Sequence, residues 1–136
     1  MIFFSFFFFK FYNDKKNILI SEKFIQASIY LSSKKKEESK KLLEEIIYEK
    51  NPFYSVLALN LILEKKLIKD TGKILLYFEK LEGISLNDEQ KALVDFKKAL
   101  FLINGPDVSE GKKILRNIIE SKSRFQSLAQ DILSEY

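Results

Sequence analysis

Apolar residues recur along this chain at helical spacing, and one stretch of them occurs twice. Residues 40–57 read KKLLEEIIYEKNPFYSVL and residues 112–129 read KKILRNIIESKSRFQSLA, aligned without a gap at an offset of 72 (112 − 40). Lys40/Lys112, Lys41/Lys113, Leu43/Leu115, Ile46/Ile118, Ile47/Ile119, Lys50/Lys122, Phe53/Phe125 and Ser55/Ser127 are identical, and Glu38/Glu110 extends the match upstream. An offset of 72 is about two units of a ~34-residue helix-turn-helix repeat. The pattern therefore predicts an array of helical hairpins.

Seven helices follow from periodicity and punctuation. Ile20, Phe24, Ala27 and Leu31 form a 4-3-4 stripe over residues 17–31, the spacing of one helix face. The polar run 32–41 is a turn and the start of a second helix, with Glu37 and Glu38 placed to favour the helix dipole. Leu42, Leu43, Ile46 and Ile47 form its buried stripe. Asn51-Pro52 ends that helix and opens a third over residues 53–68, Asn as cap and Pro in the first turn. Asp70-Thr71-Gly72 recaps the chain for a fourth helix with Ile74, Leu75, Phe78 and Leu81 inward. Asn87 and Gln90 form a capping-box pattern for the fifth, whose stripe is Leu93, Phe96, Leu100 and Ile103. Asn104-Gly105-Pro106 is a stop signal that predicts a left-handed Gly105. Asp107/Glu110 and Ser123/Gln126 predict capping boxes for helices six and seven. The periodic tail at Leu128, Ile132 and Leu133 predicts an array cut at its C-terminal end.

Residues 1–12, MIFFSFFFFKFY, break this pattern by lacking a polar face. The apolar run is shorter than the ~20 residues that cross a bilayer, and it has neither a basic leader nor a small-residue cleavage site. Three readings stand: a helix buried against the first repeat, an interfacial anchor, or the distal half of a membrane helix whose beginning is missing because Met1 is a late start. All-round apolarity is what lipid exposure requires, so the segment is read as a truncated membrane anchor. Phe3, Phe4, Phe6, Phe7, Phe8 and Phe9 are then the membrane-contact residues, with Lys10, Lys15 and Lys16 at the exit interface. Residues 17–136 are the repeat domain.

Composition narrows the chemistry. With 46% apolar residues in 136, the chain can bury a core. It has no cysteine and no histidine, which excludes disulfides, thiolate sites and imidazole-ligated zinc. Its 23 basic and 19 acidic residues are interspersed, the mark of a solvated helical surface rather than of a nucleic-acid footprint.

The sequence also contains decoys. Gly105 and Gly111 enclose five residues, and Lys112-Lys113 follow where a phosphate loop needs Gly-Lys-Ser/Thr. The two glycines read instead as a C-cap and an N-cap. Ser32-Ser33-Lys34-Lys35 satisfies Ser-x-x-Lys in a charged turn, without the partner motifs of penicillin-recognising enzymes. Glu37/Glu38 and Glu44/Glu45 are adjacent on a helix, about 100° apart, and cannot face each other across a cleft. Lys34-Lys35-Lys36 precedes Glu37-Glu38 and reads as a solvated turn. The chain is thus expected to be a non-enzyme with no cofactor, no metal and no small-molecule substrate. Most aromatics sit at core spacing. Tyr30 and Tyr54 are the expected exceptions, offering a partner-binding groove an apolar face and a hydroxyl.

With the repeats placed, the chain resembles a tetratricopeptide-like array. Ala27 and Ala58 match the small residue of a first helix, Ser39, Gly72 and Gly111 that of a second, and Asn51-Pro52 falls near the repeat-ending proline. More narrowly, ALVDFKKALFLINGPD (residues 92–107), SKSRFQSLAQDILSEY (residues 121–136) and an apolar N-terminus running into the repeats resemble the bacterial ancillary translocon subunit (YfgM-like) family, particularly its alphaproteobacterial branch. Arg124-Phe125 stands where that family usually has Pro-Trp. The resemblance implies an inner-membrane anchor, a repeat domain in the periplasm, and association with the Sec translocon and periplasmic chaperones.

The expectation is an all-α, right-handed superhelix of tetratricopeptide-like hairpins, acting as a membrane-tethered scaffold that binds protein segments. The alternative is a cytoplasmic helical-repeat adaptor without an anchor.

Overall fold

A computed structural model describes residues 2–136, with side chains from Phe3 onward. Met1, read above as a late start, lies outside the described residues. Seven helices account for the described fold, with no strand among the described residues: α1 (Ile2–Ser32), α2 (Lys36–Tyr48), α3 (Tyr54–Glu64), α4 (Thr71–Glu82), α5 (Asp88–Ile103), α6 (Val108–Glu120) and α7 (Gln126–Ser134). The chain is an all-α array of helical hairpins, divided into two compact units, Met1–Lys69 and Asp70–Tyr136.

In the first unit, α1 packs on α2 and α2 on α3. The sequence separates an apolar segment from a helix beginning near Asn17, whereas α1 runs through both without a break. No glycine or proline interrupts residues 2–32, and single Asn or Asp residues cost a long helix only tenths of a kcal/mol, about 0.7 at most. The C-terminal half of α1 buries Ile20 and Ala27 where it packs on α2, which buries Leu43, Ile46 and Ile47. Lys23 pairs with Glu45 at 3.3 Å and Glu49 at 3.6 Å, and Asn17 bonds Asn51 at 2.8 Å, pinning the far end of α2 to α1. Asn51 also caps the next helix: its Oδ1 accepts from the N–H of Phe53 and Tyr54 at 3.0 and 2.9 Å. That helix, α3, ends at Glu64, four residues before the expected 68, because Lys66 turns left-handed (φ 51°). Leu67 N–H then reaches back to Ile62 O at 3.1 Å, the closure of a Schellman motif.

In the second unit, Asp70 caps α4 by accepting from Lys73 N–H at 3.1 Å. The capping box at α5 forms as expected: Asn87 Oδ1 accepts from Gln90 N–H at 2.8 Å, and Gln90 Oε1 from Asn87 N–H at 3.0 Å. Asp107 Oδ1 accepts from Glu110 N–H and caps α6. Ser123 does not cap α7. Its Oγ takes the Phe125 N–H at 3.1 Å, before the helix begins.

Helices α5, α6 and α7 repeat α1, α2 and α3. The offset of 72 holds through both bounds of α2 and α6 and reaches further back than the sequence alignment, pairing Phe24 with Phe96, Ala27 with Ala99 and Leu31 with Ile103. Ala27, Ala99, Leu43 and Leu115 are all fully buried. After Lys50 and Lys122, both left-handed (φ 54° and 53°), the equivalence slips by one residue. Tyr54, not Phe53, packs on Phe24 (ring centroids 6.0 Å apart), whereas Phe125 stacks on Phe96 at 4.9 Å. Phe53 is 55% exposed, and Ser55 is buried, donating to Ile46 O at 2.8 Å, while Ser127 is exposed. The turn geometry explains the slip. Ser55 N–H bonds Asn51 O four residues back, but Gln126 N–H bonds Ser123 O three residues back, a tighter 3₁₀ turn that saves one residue.

The glycines also differ from expectation. No described glycine has positive φ, Gly105 included; the left-handed positions are Lys34, Lys50, Lys66 and Lys122, one after each of α1, α2, α3 and α6. A lysine there carries the steric cost of αL, about 1–2 kcal/mol, offset in part by its charge at the negative end of the helix dipole. Gly111 is no N-cap. It lies inside α6, buried, where an added Cβ would meet Ile103 Cγ1 at 2.6 Å and Ala99 O at 3.0 Å. The equivalent Ser39 is buried with its Oγ donating to Ala27 O at 2.8 Å. Both are crossing points of two helices, as the repeat pattern implies. Gly72 is not: it is exposed in the first turn of α4, and a Cβ there would approach only Asp70 Oδ1, at 3.3 Å.

Candidate membrane and partner surfaces

The N-terminal part of α1 extends past its contacts with α2. Lys16, bonded to Glu49 at 3.7 Å, and Asn17 are its first anchored residues. Before them Phe3, Phe4, Phe6, Phe7, Phe8, Phe9, Phe11 and Tyr12 are between 66% and 88% exposed. The six phenylalanines expected to contact membrane therefore stand together on one helical arm, about 20 Å long at 1.5 Å per residue. The reading in which this segment is buried against the first repeat is overturned, because α2 is too short to reach it. No helix among the described residues is long and apolar enough to cross a membrane.

Tyr30 and Tyr54 do not form one cluster. Tyr30 is half-buried near the end of α1, with the Lys35 ammonium 5.8 Å from its ring centroid. Tyr54, also half-buried, joins Phe24 and stands edge-on to Phe53 at 5.0 Å. Its ring closes the α1–α3 seam. Ser32, of the Ser-x-x-Lys decoy, is exposed and donates to Ser28 O at 3.2 Å. Lys34 and Lys35 lie exposed in the α1–α2 turn, and Lys36, also exposed, opens α2. Just beyond, Lys40 binds the Glu37 carboxylate at 2.5 Å. That hydrogen bond raises the Lys40 pKa above the ordinary lysine value, against a smaller opposing effect of desolvation.

A groove that no sequence pattern announces lies in the second unit, about 870 Å³ in volume, formed by α5, α6 and the α6–α7 turn. Ala92, Ile114 and Ile118 supply apolar lining, and charged residues of both signs surround them. Six of those charges are paired: Lys98 with Glu82 at 2.5 Å, Lys91 with Asp95 at 2.8 Å within α5, and Arg124 with Glu89. Glu89 and Arg124 are 35 residues apart, beyond the reach of any local pattern. The groove is an open cleft whose walls carry both signs of charge, whereas a polyanion site gathers one sign. No three His, Cys, Asp or Glu side chains converge as a metal site among the described residues.

No protein-family model, curated protein or solved structure matches the chain.

Proposed function

We propose that this protein is a membrane-tethered helical-repeat scaffold that holds protein segments. As the resemblance to the YfgM-like family implies, it would work in the periplasm beside the Sec translocon and periplasmic chaperones. The observation that carries the reading is the bare arm of α1, whose Phe3, Phe6 and Phe9 are as open as Phe4 and Phe7. Eight large aromatics exposed around one helix make a patch well beyond the few hundred Å² a soluble surface usually carries. Lipid offers such a helix apolar contact on every side. Lys10, Lys15 and Lys16 then meet the headgroups, and the groove of the second unit is the surface that holds a peptide.

The test is carbonate extraction of native membranes combined with protease accessibility from the outer side of the inner membrane. Carbonate-resistant protein cleaved from outside is the expected result. Release into the cytoplasmic fraction would overturn the tether and favour the second reading, an adaptor whose phenylalanine arm is held by another protein.

A further inference from the structure

The α2–α3 turn lies where the bare arm of α1 begins. Lys16 pairs with Glu49 at 3.7 Å, and Asn51 Nδ2 donates to Asn17 Oδ1 at 2.8 Å. These contacts hold the turn beside α1 at the level of residues 16 and 17. Tyr12, the last aromatic of the arm, precedes Asn17 by five residues, about 7 Å along the helix axis. The polar layer of one leaflet is about 5–7 Å deep. A bilayer that takes up the arm therefore brings its headgroups against this turn.

The residues of the turn suit that place. Tyr48 is 52% and Phe53 55% exposed, and Lys50 and Pro52 are exposed with them. The one carboxylate of the turn, Glu49, is engaged by Lys16 and by Lys23 at 3.6 Å. Glu45, a helical turn earlier, is also paired with Lys23, at 3.3 Å. What the turn presents is thus two aromatic rings, a proline and an ammonium. On α1 the neighbouring charges are Lys10, Asp14 and Lys15, so basic residues outnumber acidic ones in this band. Rings beside lysines are the composition of a membrane–water interface, where the ring meets the ends of the acyl chains and the ammonium meets phosphate.

The second copy of the motif supplies the contrast. At the offset of 72, Tyr48 becomes Glu120 and Pro52 becomes Arg124. The ring of that turn, Phe125, is half-buried and stacked on Phe96 at 4.9 Å. Charge is exposed in the hairpin whose first helix starts at Asp88, and aromatic rings in the hairpin whose first helix carries the arm.

We propose that the α2–α3 turn is a second membrane contact, with Tyr48, Lys50 and Phe53 seated among the headgroups of the bilayer that holds the arm. The contact rests on the membrane reading of the arm and adds an orientation to it. The arm alone sets depth, whereas a second point beside the helix axis sets the tilt of the first unit.

The chain has no tryptophan, so single replacements report position. Full chains carrying Phe8→Trp, Phe53→Trp or Lys36→Trp are bound to phosphatidylcholine–phosphatidylglycerol vesicles with a nitroxide quencher on the headgroup or deep in the acyl chain. All three positions are exposed. Lys36 opens the opposite end of α2, about 18 Å from Tyr48. The Phe8→Trp chain should be quenched by the acyl-chain label, the Phe53→Trp chain by the headgroup label, and the Lys36→Trp chain by neither. Lys50→Glu should weaken partitioning into these vesicles by roughly fivefold or more, and leave partitioning into phosphatidylcholine alone unchanged. Quenching of Phe8→Trp without quenching of Phe53→Trp overturns the turn contact and leaves the tether intact. A silent Phe8→Trp overturns the tether and this contact with it. Headgroup quenching of Lys36→Trp equal to that of Phe53→Trp also overturns the contact, since the unit would then lie along the surface. So does a Lys50→Glu chain that partitions like the parent.

Discussion

Gly111→Ala tests how closely the hairpin of the second unit is packed. An ideal Cβ at residue 111 stands 2.6 Å from Ile103 Cγ1, 2.9 Å from Ile103 N and 3.0 Å from Ala99 O. The first neighbour is a buried side chain and the other two are backbone, so no single rotamer change relieves them. Helices α5 and α6 must move apart, and the layer of Ala99, Ile103 and Leu115 opens with them. Overpacking of this kind costs about 1–3 kcal/mol, at the upper end here because two of the three contacts are main-chain. Alanine recovers about 1 kcal/mol of helix propensity over glycine, leaving a net loss of about 2 kcal/mol. For a chain of this size that lowers Tm by roughly 6–10 °C, followed by circular dichroism at the helix band. Gly83→Ala is the control: its Cβ would meet only Lys80 O at 3.5 Å and Glu79 O at 3.8 Å, and the change should be neutral or stabilising by up to about 1 kcal/mol. A Gly111→Ala variant that melts at or above the parent would refute the close crossing.

Ile46→Asp and Ile118→Asp each bury an unpaired charge at equivalent seams and should cost at least about 3 kcal/mol; an unchanged urea midpoint for either would break the register of the repeat. Lys50→Gly and Lys122→Gly relieve left-handed backbones (φ 54° and 53°) and should each raise stability by about 1 kcal/mol, whereas a fall in Tm would mean the lysines make compensating contacts. The raised pKa of Lys40 gives its bond with Glu37 a definite pH range. The stabilisation is fully present below the ordinary lysine pKa and is lost as pH rises through the raised folded value. The Tm difference between parent and Lys40→Met should therefore be flat across neutral pH and shrink only in strong alkali; a difference that vanishes near neutrality would contradict this.

Much of the architecture is written locally. Of the expected inward set, Ile74, Phe78 and Leu81 are buried and Leu75 is half-buried, because helical period places the first three on one face. The Asn87/Gln90 box and the Asp70 and Asp107 caps form within one turn of helix and need nothing distant. Tyr77 escaped the pattern. It is fully buried beside Phe78, since a helix covered over more than half its circumference buries residues outside any single stripe.

The groove of the second unit was not legible. Its braces join Glu89 to Arg124 and Glu82 to Lys98, pairs that no spacing rule connects. The tightening of the α6–α7 turn was hidden as well. A gapless alignment at 72 pairs Phe53 with Phe125, yet a 3₁₀ hydrogen bond at Gln126 exchanges Phe53 for Tyr54 in that role.

The sequence by itself determined the seven helices, most of their caps and the internal repeat, because each depends on side chains within a few residues of one another. Only the tertiary structure decided that residues 3–12 of α1 stand bare on every side, since they present phenylalanine all round and period cannot tell a helix buried on all sides from one exposed on all sides. It also decided why equivalent crossings carry Ser39 in one hairpin and Gly111 in the other. That choice depends on the distance between two helices, and packing sets it to within a fraction of an ångström.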